Sequence, residues 1–241
     1  MINFKIYTLF PEMFPGNLSQ GLIGKAFEKK IWNFETIQIR DYSNYSAHSV
    51  DDKPFSGGAG MVLRPDVISN AIESTCNTKD IDKSHKICFS AKGRKLTQNY
   101  LEDIKHNKNF ILLSGRYEGI DQRVIEHYQF EEISIGDYIL NGGEGACLIF
   151  MEALIRLQKD VLGNPKTHKN ESFQGNLVEY DQFTRPSVWR ASDGKTYDVP
   201  ADLLNGNHSD IENWKKTNSE QNTSKNRPDL WKKYLKNKKN E

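Results

Sequence analysis

The 241-residue sequence is poor in cysteine. It has Cys76, Cys88 and Cys147, an odd number, widely spaced, with no CxxC pair and no Cys/His quartet. That excludes a disulfide framework and a structural zinc site and fits a reduced, cytoplasmic chain. No apolar run approaches the ~18 residues a transmembrane helix needs. The segment Met1–Tyr7 lacks the layout of a signal peptide and reads as a first strand. Both common phosphate-binding fingerprints are missing: there is no GxGxxG, and no Gly-Lys-Ser/Thr closes the glycine-rich run at 57–60. Internal repeats and low-complexity runs are absent. Neither sign of charge dominates, with 33 basic side chains against 32 acidic ones and a net of +1.

What is present is a globular composition, 37% hydrophobic and 27% charged, with glycine concentrated in loops. Two such loops are Ser114-Gly115-Arg116-Tyr117-Glu118-Gly119-Ile120-Asp121 and Ser134-Ile135-Gly136-Asp137-Tyr138-Ile139-Leu140-Asn141-Gly142-Gly143-Glu144. Each follows an apolar run, 110–113 and 132–135, of the kind buried parallel strands show. Glycine admits positive φ and lets a ligand or another backbone come close. Two such loops at neighbouring strand ends predict one pocket, as in open α/β sheets.

The spacing predicts strands at 2–9, 34–39, 86–90, 109–113 and 131–135. It predicts helices at 18–29, from Pro65, at 96–104, 119–128 and 146–158. This alternation implies a parallel sheet, with loops near residues 90, 115 and 140 on its carboxyl edge. A long loop, Val50 to Met61, is expected to be functional because compact domains seldom keep one that is idle. Beyond Val161 the character changes. Residues 1–161 form one expected domain, 162–175 a flexible linker, and 176–241 a small domain with short helices near 207–216 and 229–236. Residues 1–160 hold 19 basic and 21 acidic side chains, against 14 and 11 in 161–241. The basic tail reads either as a solvated helix end or as a contact to a polyanion such as RNA.

Seven stretches in order carry a resemblance: Asp51-Asp52-Lys53-Pro54-Phe55-Ser56-Gly57-Gly58-Ala59-Gly60-Met61, Gly115-Arg116-Tyr117-Glu118-Gly119-Ile120-Asp121, Ser134 to Leu140 with Gly142-Gly143-Glu144, Glu171-Ser172-Phe173, Phe183-Thr184-Arg185-Pro186, Gly206-Asn207-His208 and Arg227-Pro228-Asp229-Leu230. On these the chain resembles the bacterial tRNA (guanine-N1)-methyltransferases, the TrmD family of the SPOUT superfamily. The resemblance implies a parallel-sheet α/β fold with a deep trefoil knot binding S-adenosylmethionine, followed by a small helical tRNA-binding domain. It also implies a homodimer with the active site at the subunit interface, and a Mg²⁺ requirement for which the sequence identifies no metal site.

By the same resemblance, the donor would meet Ser90, Ala91, Gly115, Glu118, Ile135, Gly136, Asp137, Tyr138, Ile139 and Leu140, with Gly142 and Gly143 allowing close approach. Transfer to guanine N1 needs a base to take its proton and a cation to stabilise charge on O6. By position in the motifs these are Glu171 and Arg156. The family usually has aspartate at Glu171 and proline at Ala91 and Ala146, so the reach of the base and the preorganisation of the loop at 91 differ here. The rivals are a related knotted enzyme acting on a ribose 2′-hydroxyl or on ribosomal RNA, and an inactive RNA-binding dimer.

Plainer readings stand beside these. Glu118 orders its loop or touches ribose, Asp137 caps a turn, and Asp51 and Asp52 make a turn. His208 is structural or contacts RNA, Arg185 contacts phosphate or pairs across a dimer, and Trp189, Trp214 and Trp231 are core or interface anchors. Lys215, Lys216, Lys232 and Lys233 are solvated or track phosphates.

Overall fold

A computed structural model of the chain describes residues 1–163 and 172–239. The chain divides into two units, Met1–Gly163 and Asn164–Glu241. In the first, β1 (Ile2–Thr8) is followed by α1 (Gly21–Glu28), β2 (Trp32–Gln38), the short strands β3 (Asp51–Asp52) and β4 (Val62–Leu63), α2 (Pro65–Thr75) and α3 (Thr78–Lys83). Then come β5 (His85–Lys95), α4 (Gln98–Ile104), β6 (Asn109–Ser114), α5 (Gln122–Tyr128), β7 (Glu131–Ser134) and α6 (Glu144–Arg156).

Five of the strands form one parallel sheet in the order β2-β1-β6-β5-β7. Side chains of β6 alternate between its two faces. Phe110 and Leu112 enter a core with α1, α4 and α6, while Ile111 and Leu113 enter a second core with α2 and α5. A strand buried on both faces has no polar side to show, hence its continuous apolar run. The expected α/β class with a central parallel sheet is therefore present. No helix among the described residues is long and apolar enough to cross a membrane.

Strand β5 departs from expectation. The sequence predicts a strand ending at Ser90 and a loop from Ala91. Instead the strand continues to Lys95 with an excursion inside it: Phe89 and Arg94 both register with Ile133 of β7, and the four residues between them bulge out. The strand resumes because Leu96 N–H donates to Ser134 O at 2.7 Å, satisfying backbone groups a loop would leave unpaired.

Strands β3 and β4 close the long loop as a two-pair antiparallel ladder. Arg64 Nη1 clasps its foot by an ion pair to Asp52 Oδ2 at 2.7 Å.

The second unit holds an antiparallel hairpin, β8 (Val188–Arg190) and β9 (Thr196–Asp198), and two helices, α7 (His208–Asn226) and α8 (Pro228–Lys238). The helices are longer than the short pieces the sequence suggests, and the hairpin is an addition to the helical reading. Asn207 caps α7, its side chain accepting from Ser209 N–H, which gives the Gly206-Asn207-His208 motif a structural purpose. Trp214 packs edge-on against Tyr180 and Phe183, and Trp231 stacks on Tyr234. Ser172 and Glu179 exchange two hydrogen bonds, each 3.0 Å.

Candidate active site

At the carboxyl ends of β6, β5 and β7, neighbours in the sheet, lies a cavity of about 470 Å³. Three segments wall it: Cys88–Lys92, which runs from β5 into its excursion, Gly115–Ile120 after β6, and residues 134–136 and 138–143 at and after the end of β7, with Ala146 of α6 also lining it. Of the expected donor-contacting residues, Ser90, Ala91, Gly115, Glu118, Ile135, Gly136, Tyr138, Ile139, Leu140, Gly142 and Gly143 line this one cavity. Asp137 does not. Its side chain is 92% exposed and stands 3.8 Å from Lys95 Nζ.

The loops are held by backbone. Gly143 N–H donates to Gly115 O at 2.8 Å, and Arg116 and Gly142 form an antiparallel bridge. The contact is so close that a Cβ on Gly143 would lie 2.9 Å from Ser114 Cα. A second close crossing lies across the cavity, where a Cβ on Gly93 would meet the Glu132 carbonyl carbon at 2.5 Å. Only glycine permits chains to pass at these distances. The rim is apolar and open, with Tyr117, Tyr138, Ile139 and Leu140 all exposed.

Several ionisable groups here have settled roles. Burial pushes the Cys88 thiol up to about 12, so it lines the cavity as a neutral group and not as a nucleophile. Asp121 caps α5, accepting from Arg123 N–H at 3.0 Å, and the Arg123 guanidinium holds its carboxyl below the ordinary range. It is a structural carboxylate. Glu118 is exposed and lines the wall.

The sequence reading did not single out Arg116, Tyr117, Lys92, Glu132 or Asn141, which line the cavity too. Arg116 and Tyr117 lie inside a motif already quoted, so position relative to the glycines was the available signal. Arg116 also pairs with buried Glu144, Nε to Oε2 at 2.9 Å.

Arg156 lies elsewhere. It lines a second cavity of about 340 Å³ with Asn17, Gln20, Gly21, Leu22, Ile23, Glu152 and Leu162. Ala146 and Arg156 sit near opposite ends of α6, roughly 15 Å apart at 1.5 Å per residue. Glu171 lies outside the described residues, as does 164–171 of the expected linker. No group of three or more His, Cys, Asp or Glu side chains that could hold a metal occurs among the described residues.

Residues 2–233 match the family model described as tRNA (Guanine-1)-methyltransferase TrmD. The chain is 43% identical over 233 residues to a tRNA (guanine-N(1)-)-methyltransferase of Bartonella henselae, covering 97% of this chain and 96% of the relative. A protein of the same description from Ehrlichia canis is 44% identical over 231 residues, 95% of each chain. One from Rhodospirillum rubrum is 42% identical over 230 residues, 95% of this chain and 92% of its own.

Proposed function

Because the chain belongs to the tRNA (guanine-1)-methyltransferase family TrmD and is an enzyme that methylates N1 of guanine in tRNA, we propose that the cavity at the sheet edge holds the methyl donor and that the acceptor is guanosine 37, 3′ of the anticodon. The observation that carries this reading is the meeting of three strand-end loops in one cavity, walled by backbone at Gly115, Gly142 and Gly143. S-adenosylmethionine supplies an electrophilic sulfonium methyl group when bound. The cavity fits it in size and chemistry: about 470 Å³ is within the range of small-ligand sites. Ile133, Ile135 and Ile139 offer apolar surface for a purine, and Glu118 offers an acceptor for ribose hydroxyls. The backbone crossings at Gly93 and Gly143 support a knotted path for these loops, since a chain threading past itself needs such contacts.

In the proposed reaction Glu171 takes the proton from guanine N1 as the N1–methyl bond forms and the sulfur–methyl bond breaks. Arg156 stabilises the negative charge that develops on O6. Within one chain Arg156 sits at the far end of α6 from the cavity, a separation longer than an arginine side chain. This supports a homodimer in which one subunit's Arg156 serves the other's cavity. The second unit, with exposed Trp189 and Tyr197 and a lysine-rich α8, is the proposed tRNA contact. The proposed setting is the cytoplasm. The Mg²⁺ implied by the resemblance enters no step.

A methyl-transfer assay with labelled S-adenosylmethionine and two tRNA transcripts, differing only in guanine or adenine 3′ of the anticodon, tests the proposal. Incorporation at N1 in the guanine transcript alone is expected, with Glu171→Asp active and Glu171→Gln slowed on the order of 10²–10⁴-fold. Tight tRNA binding without incorporation into either transcript would replace the reading with an inactive RNA-binding protein.

A further inference from the structure

Gly60, in the long loop between β3 and β4, touches Glu118, in the loop after β6. A Cβ on Gly60 would stand 2.4 Å from Glu118 Oε1, 2.5 Å from its Cγ and 2.8 Å from its Cδ. The glutamate arm therefore rests along its length on the bare Cα of Gly60. The backbone makes the same junction. Glu118 N–H donates to Met61 O at 2.9 Å, Leu63 N–H to Gly119 O at 2.9 Å, and Asp121 N–H to Leu63 O at 3.1 Å. The glycine-rich loop is thus zipped along the Glu118–Asp121 segment. Gly60 also has φ of +101°, a conformation other residues seldom adopt. It has two separate reasons to be glycine, and only one of them involves Glu118.

Glu118 is exposed, and an exposed glutamate left to itself samples many rotamers. Here its Cγ, Cδ and Oε1 lie against Gly60 instead, in a residue that lines the cavity. We propose that Gly60 is a positioning residue for donor binding: the space left by its missing side chain holds the Glu118 carboxylate at the cavity wall. The inference rests on the donor-binding role proposed for Glu118. A methyl group at position 60 turns the carboxylate out into solvent, a displacement that disturbs no buried packing.

The test is a double-mutant cycle in the full-length protein, read as the equilibrium Kd for S-adenosylmethionine by calorimetry. Gly60→Ala weakens binding about tenfold, the order expected when one charge-assisted hydrogen bond is lost. In a Glu118→Ala background, which lacks the Cγ, Cδ and Oε1 that the added methyl would meet, the same substitution costs less than about threefold. An equal cost in both backgrounds would overturn the proposal and leave Gly60 a residue of backbone conformation alone. So would a Gly60→Ala protein that binds like wild type. Should Gly60→Ala lower Tm steeply, the cycle is read in Tm with Glu118→Ala. Recovery supports the contact, and persistence of the loss overturns it. A wild-type protein that binds no donor would overturn the donor-site reading, and this inference with it, before any variant is compared.

Discussion

Arg116 Nε stands 2.9 Å from Glu144 Oε2, and the Glu144 side chain is 1% exposed. The other carboxylate oxygen accepts from Thr8 Oγ1 at 2.8 Å. One buried carboxylate thus joins the end of β1, the loop after β6 and the first turn of α6. The helix amides favour a negative charge at that position. The Arg116 guanidinium also lies over the Phe10 ring, 4.2 Å from its centroid. Neither Arg116 Nε nor Glu144 Oε2 has a hydrogen-bond partner among the described residues, so the contact between them is ionic in character. Such a pair is exacting, because removing one member leaves the other without compensation.

Glu144→Ala is therefore expected to cost about 3 kcal/mol of stability, seen as a lower urea midpoint at unchanged slope. Glu144→Gln should cost less, since it keeps an acceptor for Thr8. A midpoint for Glu144→Ala equal to wild type would show that the pair contributes nothing net.

Two glycines in the same region should respond oppositely to alanine. At Gly93 a Cβ collides with main chain at Glu132 and Ile133, which no side-chain rotation relieves. Gly93→Ala should destabilise by about 1–3 kcal/mol. At Gly145, inside α6, the nearest atom is Leu140 Cδ1 at 3.7 Å, an ordinary contact. Gly145→Ala should be neutral or stabilise by up to about 1 kcal/mol through helix propensity. Thermal melts of the two variants side by side decide whether close backbone passage, and not glycine content as such, is what the cavity loops require.

The contrast shows which parts of the molecule were legible in the sequence. Phe110–Leu113 announced a two-faced buried strand because period and composition alone carry that message. The glycine loops announced a cavity for the same local reason. Arg116 and Glu144 did not announce their pairing, because it exists only once the loops after β6 and β7 cross. The bulge at 90–93 was read as a strand end, since the register with Ile133 that restarts the strand is a long-range fact. Hairpin β8–β9 went unseen because all six of its residues are exposed, so no face needed to be apolar. The helix predicted at 146–158 contains Arg156, and α6 does hold it as its last residue. Its position at the end of α6 away from the cavity could not be read from spacing in the motif, since the cavity's own location was needed.

His85 provides a pH prediction. Its Nε2 faces Tyr100 Oη at 3.0 Å and Glu131 Oε2 at 3.4 Å, while Asn107 Nδ2 lies 3.3 Å from its Nδ1; Lys86 and Arg94 are the nearby cations. Burial outweighs the attraction of Glu131 and holds the His85 pKa below its ordinary value. The folded state therefore binds fewer protons than the unfolded state as pH falls below about 6.5. The stability due to neutral His85 is full above that pH and declines as pH drops toward the lowered folded pKa. Between about pH 7.5 and 5.5, the Tm of wild type should fall more than that of His85→Gln. Parallel curves would remove His85 as a source of the pH dependence.

The placement of Arg156 gives the sharpest test of how the site is assembled. If each cavity uses the arginine of the other subunit, two inactive chains can repair each other. One chain would carry Arg156→Ala with an intact cavity. The other would carry Gly143→Val, whose side chain would press on Ser114 and Gly115 and close the cavity, with Arg156 intact. Each alone is expected to be inactive, with donor binding retained by Arg156→Ala and lost by Gly143→Val. Refolded together in equal amounts, half of the dimers are mixed, and each mixed dimer has one site with both parts sound. Activity should then return to about a quarter of wild type, the fraction that two-fold pairing dictates. Were Arg156 to act on the cavity of its own chain, every site in the mixture would lack either the cation or the cavity. The mixture would then be as inactive as its components.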